Sequence, residues 1–248
     1  RLGGWSGSVG SGTLSVTALD VCEVPPPIET EPSGAEKMRF MSFAVNSGAS
    51  ETAALRVRMA SLHQPNPPPS GGPSPDFSGL EGQFRYVNLI RDGQDNPVFT
   101  CPDTFTHPGY ACAKLGCVPE YRDWRSEFGG MVLHVTGDSV VPDSTYGVSY
   151  LPTTCQGVEE TCVDATAEIS VDTTRWGDVN ASQTTSALDV GDAVDKNKAA
   201  TGSFPEYRTL FAPQDLDPNA KNMTAIDVGQ AVDANKGNPY PFTIADCP

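Results

Sequence analysis

Ser186-Ala-Leu-Asp-Val-Gly-Asp-Ala-Val-Asp-Lys-Asn-Lys198 is followed, at an offset of 38, by Thr224-Ala-Ile-Asp-Val-Gly-Gln-Ala-Val-Asp-Ala-Asn-Lys236, and nine of the thirteen aligned positions are identical. Self-similarity at a fixed period marks a repeated supersecondary unit. Val190, Ala193 and Val194 recur with helical spacing in the first copy, and Val228, Ala231 and Val232 in the second. Each copy therefore reads as one short helix with a single apolar face. Helices of this length are marginal alone, so the two are expected to pack on each other about an approximate two-fold axis. Gly191 and Gly229 are the positions expected to permit close approach.

Short oxygen-bearing side chains precede each helix. With Asp189 as position 12 of a calcium loop, Asp178 falls at 1, Asn180 at 3, Ser182 at 5, Thr184 at 7 and Ser186 at 9. Position 7 offers its backbone carbonyl, and position 6, normally glycine, is Gln183. The second copy supplies Asp215, Asp217 and Asn219 at 1, 3 and 5, with Lys221 at 7 through its backbone only, and Asp227 one residue late. A competing reading needs no metal. Ser186-Ala-Leu-Asp189 and Thr224-Ala-Ile-Asp227 are also capping boxes, in which hydroxyl and carboxylate satisfy the orphan amides of a helix start. Capping explains the helix starts but not the alternation of oxygen ligands before them, so calcium is the expected cofactor.

Trp176-Gly-Asp-Val-Asn180 with Ala187-Leu-Asp-Val190, then a second Asp-x-Asp-x-Asn run with Ala225-Ile-Asp-Val228, resembles the type I dockerin module over about Arg175 to Phe242. The resemblance implies a tandem EF-hand-type loop-and-helix pair. In that family the loops bind calcium and the helix faces dock onto a cohesin, itself a β-sandwich. Asp123-Trp124 and the Val140 to Tyr146 stretch are similar to parts of secreted bacterial β-sandwich proteins that end in such repeats.

Residues 1–12 are Gly- and Ser-rich with Trp5 as the only large apolar group, which reads as a flexible arm. Strand-like runs follow at Leu14 to Val21, Met38 to Val45, Ala53 to Leu62, Phe84 to Ile90, Met131 to Val135, Tyr146 to Leu151 and Ala167 to Val171. Short alternating strands separated by turn residues predict a mainly β chain, an antiparallel sandwich of the immunoglobulin or fibronectin kind over 13–172. The dockerin-like domain then occupies 173–248. Two insertions interrupt the sandwich, the proline-rich His63 to Ser78 and the cysteine-bearing Arg91 to Gly130.

Seven cysteines in a chain with 22 prolines and 24 glycines favour a disulfide framework outside the cell. Short-range bridges are expected at Cys112–Cys117 and Cys155–Cys162, leaving Cys22, Cys101 and Cys247. A zinc site from Cys101, His107, Cys112 and Cys117 is the weaker alternative. The start at Arg1 fits an exported chain whose signal has been removed. With 31 acidic against 16 basic side chains and a net charge of −15, no basic stripe exists for nucleic acid. No apolar run reaches the roughly 20 residues that span a bilayer. Asn180-Ala-Ser182 and Asn222-Met-Thr224 match the glycosylation pattern.

These readings predict a secreted, non-enzymatic structural or interaction protein. Its copies polymerise into an extracellular or cell-surface filament or array, with the arm through Val21 lending a strand to a neighbour, or its helical pair docks onto a cohesin-like receptor. A glycan-directed role is the remaining alternative. It needs exposed rings from Tyr110, Tyr121, Trp124 and Phe128 as a sugar platform, or two carboxylates about 5 to 9 Å apart for hydrolysis.

Overall fold

A computed structural model describes residues 26–30, 40–62, 76–97, 110–180, 182, 184–198, 225–238, 240–244 and 246–247. The expected arm, the strand at Leu14 to Val21, most of the proline-rich insertion and the whole second oxygen-rich loop lie outside these residues.

The chain is mainly β with few helices. The strands are β1 (Ile28–Thr30), β2 (Met41–Val45), β3 (Ala53–Ser61), β4 (Phe84–Leu89), β5 (Tyr110–Gly116), β6 (Met131–Thr136), β7 (Thr145–Pro152) and β8 (Ile169–Asp172). They form one sheet in the order β1-β2-β6-β5-β4-β3-β7-β8. β1 returns to lie beside β8, so the sheet curls almost into a barrel. Two separate layers were expected. The difference arises because β3 pairs with β4 as well as β7, and β4 with β5, so the ladder passes round the corner without a break.

A second difference is that β5 and β6 run parallel while all other neighbours are antiparallel. A parallel pair needs a crossover of roughly a dozen residues, usually with a helix in it. Residues 117–130 provide one, including α1 (Trp124–Phe128). β5 lies inside the stretch read as an insertion. Tyr110-Ala-Cys-Ala-Lys-Leu-Gly116 has no β-branched residue, and a strand at the middle of a sheet is held by its neighbours instead of by propensity.

The period of two along β3 sorts the interior from the outside. Ala53, Leu55, Val57 and Met59 join the main apolar cluster, whereas Ala54, Arg56 and Arg58 point the other way. Outside, Ala54, Tyr86, Leu151 and Cys155 form a satellite cluster under the loop closed by the Cys155–Cys162 bridge, which forms as expected. Arg56 is buried there: Nε donates to Ser149 Oγ, Nη1 to the carbonyls of Glu159 and Glu160, and the guanidinium lies 4.7 Å over the Phe84 ring.

Arg58 forks onto Glu168 with contacts of 3.0, 3.0 and 2.6 Å. The hydrogen bond from Arg58 holds the Glu168 carboxyl below its ordinary value of 4.5. A lowered carboxyl pKa contributes stability that is complete above pH 4.5 and is lost as pH falls through the folded value. Glu168→Gln should therefore cost no more than about 1 kcal/mol at neutral pH, because the pair is partly solvated, and nothing at strongly acid pH. Urea unfolding of both proteins across that range checks this; a pH-independent difference would contradict it.

The other expected short bridge, Cys112–Cys117, does not form. Cys117 is bridged to Cys247, across a sequence separation of 130, and Cys112 is disulfide-bonded as well. Cys112 is inside β5, and five residues of extended strand span roughly 16 Å, whereas a disulfide needs Cα atoms within roughly 7 Å. These bridges also consume the thiolates that a zinc site would use.

Candidate metal centre

The first oxygen-rich loop begins where the chain leaves β8. Thr173 and Thr174 are buried and pinned to the turn before β7: Thr173 N donates to Ser144 O, Thr173 Oγ1 to Val141 O, and Asp143 N to Thr174 O. Gly177 follows at φ +87°, where a Cβ would come within 2.5 Å of Ala234 Cβ and 2.7 Å of Thr185 Cγ2. Both the dihedral and the space require glycine there.

The loop then folds back on its own ligands. Asp178 is buried; Thr174 Oγ1 donates to its Oδ2 at 2.8 Å, and Ser182 N to its Oδ1 at 2.9 Å. The same Ser182 amide donates to Asn180 Oδ1 at 3.0 Å, so the oxygens of positions 1 and 3 meet at one point. Ser182 Oγ lies 3.5 Å from Asp178 Oδ1, 3.2 Å from Thr184 O and 3.0 Å from Thr184 Oγ1. Asp178, Asn180, Ser182 and the Thr184 carbonyl are thus brought together through the Ser182 amide and hydroxyl. Gln183 lies outside the described residues.

Positions 9 and 12 play a different part. α2 (Ala187–Asn197) starts with Ser186 and Asp189 in a capping box: Ser186 Oγ accepts from Leu188 N, and Asp189 Oδ2 accepts from Ser186 N and Ser186 Oγ. Asp189 Oδ1 also accepts from Val179 N at 2.9 Å and Asn180 N at 3.3 Å. Four donors fill the lone pairs of a carboxylate. Asp189 is therefore the cap and the cross-tie of the loop, and it could ligate an ion only by giving up one of these bonds. The capping reading of the sequence is thus realised at Ser186 and Asp189.

The donor set is one buried carboxylate, Asp178, with neutral oxygens from Asn180, Ser182 and Thr184. No group of three or more His, Cys, Asp or Glu placed to hold a metal occurs among the described residues. Calcium accepts carbonyl and hydroxyl oxygens alongside carboxylates, which fits this set, whereas softer metals would not.

α3 (Ala225–Asn235) carries the second copy, with Asp227 buried in its first turn as Asp189 is in α2. Asp215, Asp217, Asn219, Lys221 and Asn222 lie outside the described residues. α2 and α3 pack on each other through the expected face, Ala193 and Ala231 being fully buried and Val190 and Val228 partly so. The glycine expectation is corrected: Gly191 and Gly229 are exposed, and a Cβ on either would meet nothing within 4 Å. Close approach is instead between Gly177 and Ala234. Trp176, Val179 and Ala193 share one apolar cluster with the sheet interior, so the helical pair is seated on the sheet.

The sugar platform loses two of its rings to the core. Trp124 and Phe128 are buried, 5.5 Å apart between ring centroids, and Tyr121 OH donates to Glu159 Oε1. Burial, then the Glu159 charge, pushes the Tyr121 hydroxyl up to about 12.

Three features escaped the sequence. Thr174 holds Asp178 from outside the loop, and Thr185 Oγ1 closes the loop neck by donating to Trp176 O at 2.8 Å. Leu188 and Ile226 are exposed at matching places in the repeat. A signal for that last pair existed, because neither falls on the helical face of Val190, Ala193 and Val194 or its counterpart. No family model, curated protein or solved structure matches the chain.

Proposed function

We propose that the chain is a secreted, non-enzymatic interaction protein, a subunit of an extracellular or cell-surface assembly, in which calcium rigidifies the helical pair that makes the contact. The observation that carries this reading is Leu188 at 74% and Ile226 at 70% exposure, on equivalent positions of two helices packed together. Lone exposed leucines are ordinary. Two large apolar side chains repeated by a duplication, each one residue before a buried aspartate, form a paired apolar surface whose burial against a partner would favour association.

Asp178, Asn180, Ser182 and the Thr184 carbonyl would hold the ion in the first loop. Calcium there would neutralise buried carboxylate charge and fix the loop against its helix, adding stability by mass action. Self-association is the use we favour, and it should depend on calcium, because a copy with net charge −15 repels its like until divalent ions lower that charge. The arm through Val21 is the candidate strand donor and lies outside the described residues.

Static light scattering in calcium and in chelator tests this. The particle mass should rise with calcium and stay monomeric for Leu188→Asp/Ile226→Asp at every calcium level. A wild-type chain that is monomeric throughout would contradict self-assembly and leave docking onto a cohesin-like receptor.

A further inference from the structure

The chain runs on beyond α3 as a strap across the sheet. Tyr240 is buried, its ring edge-on to Trp176 at 5.8 Å and tilted against Phe77 at 6.4 Å. Phe242 and Ile244 pack on the same apolar cluster, and Cys247 is bridged to Cys117, just past the end of β5. The strap is therefore fastened at one end by α3 and at the other by a covalent bond to the sheet.

What it covers is the neck of the metal loop. Trp176 stands two residues before Asp178, its carbonyl takes the Thr185 hydroxyl that closes the neck, and the intervening Gly177 is pressed against Ala234 of α3. We propose that Tyr240 and the Cys117–Cys247 bridge are positioning residues for calcium: the fastened strap holds Trp176, and through it Asp178, in ligand geometry before the ion arrives. This rests on the calcium reading of the loop.

With the strap loose, part of the ordering of residues 176–185 must accompany ion binding and weakens it. Coupling of this kind is reciprocal in free energy, so calcium also shifts the equilibrium of the bridge against reduction. A dithiol reductant opens it by passing two electrons and two protons to the Cys117 and Cys247 sulfurs, giving two thiols while the reductant closes to its own disulfide. The Cys155–Cys162 bridge, with a sequence separation of 7 and packed into the satellite cluster, is the internal control.

Calcium titration by calorimetry on the full chain decides the matter. Cys117→Ser/Cys247→Ser and Tyr240→Leu should each bind about tenfold more weakly than wild type, while Cys155→Ser/Cys162→Ser should match it. Tyr240→Leu keeps the bridge, so it gives the answer if the bridge variant fails to fold. For Tyr240→Leu the calcium-induced rise in Tm should also shrink; an equal drop in calcium and in chelator is what a merely structural ring would give, and it would overturn the proposal. Equal affinities across all variants would overturn the coupling and leave the calcium reading standing. No binding by the wild-type chain would remove both.

Discussion

Asp189→Ala is expected to lower the unfolding free energy by about 4 kcal/mol and to melt α2. The carboxylate accepts from Val179 N, Asn180 N, Ser186 N and Ser186 Oγ, and it is 0% exposed. Removing a buried acceptor leaves its donors unsatisfied, at roughly 1–3 kcal/mol each where water cannot reach them, and loss of the cap adds about 1 kcal/mol. The mutant should also lose calcium binding, although Asp189 is not among the residues best placed to touch the ion, because Val179 and Asn180 carry the loop backbone. Urea unfolding followed by far-ultraviolet circular dichroism measures this. A loss below about 1 kcal/mol would show that the four bonds do not hold the loop.

Trp124→Ala should cost about 4 kcal/mol by the cavity it leaves. The side chain is 0% exposed, its ring tilted against Phe128, with Arg122 at 5.4 Å from its ring and Nε1 donating to Ala53 O. The same carbonyl also accepts from Arg122 N, so it stays satisfied after the substitution and the loss is one of packing. The denaturation midpoint should fall with an unchanged m-value, and Trp124→Phe should retain much of the stability. A changed m-value would mean that α1 unfolds separately from the sheet.

The part of the fold that sequence made legible is the part governed by short-range pattern. β3, β4, β6 and β7 alternate apolar and polar residues and were placed within a residue or two. The closing of the Cys155–Cys162 loop and the apolar faces of α2 and α3 follow from local spacing in the same way. β5 was not legible, since Ala111, Cys112 and Ala113 gain strand geometry only from Leu89, Leu133, His134 and Val135 beside them. The Cys117–Cys247 bridge was likewise hidden, because which cysteines meet depends on the path of the strap.

At the site, the alternation of oxygen-bearing side chains at Asp178, Asn180 and Ser182 was readable because a tight loop brings alternate residues to one side. The role of Asp189 was ambiguous for a physical reason. A carboxylate three residues after a serine and twelve positions into a loop satisfies both patterns, and only three-dimensional bonding shows that the amides of Val179 and Asn180 claim it as well. Thr174 was invisible, since it precedes the loop and acts through a hydroxyl that any turn could carry.

Equilibrium dialysis of the intact chain against radioactive calcium tests the central claim most directly. The account predicts at least one ion retained per chain at millimolar calcium, and its loss or marked weakening in Asp178→Ala. No retained calcium in the wild-type protein, or retention that Asp178→Ala leaves unchanged, would contradict it.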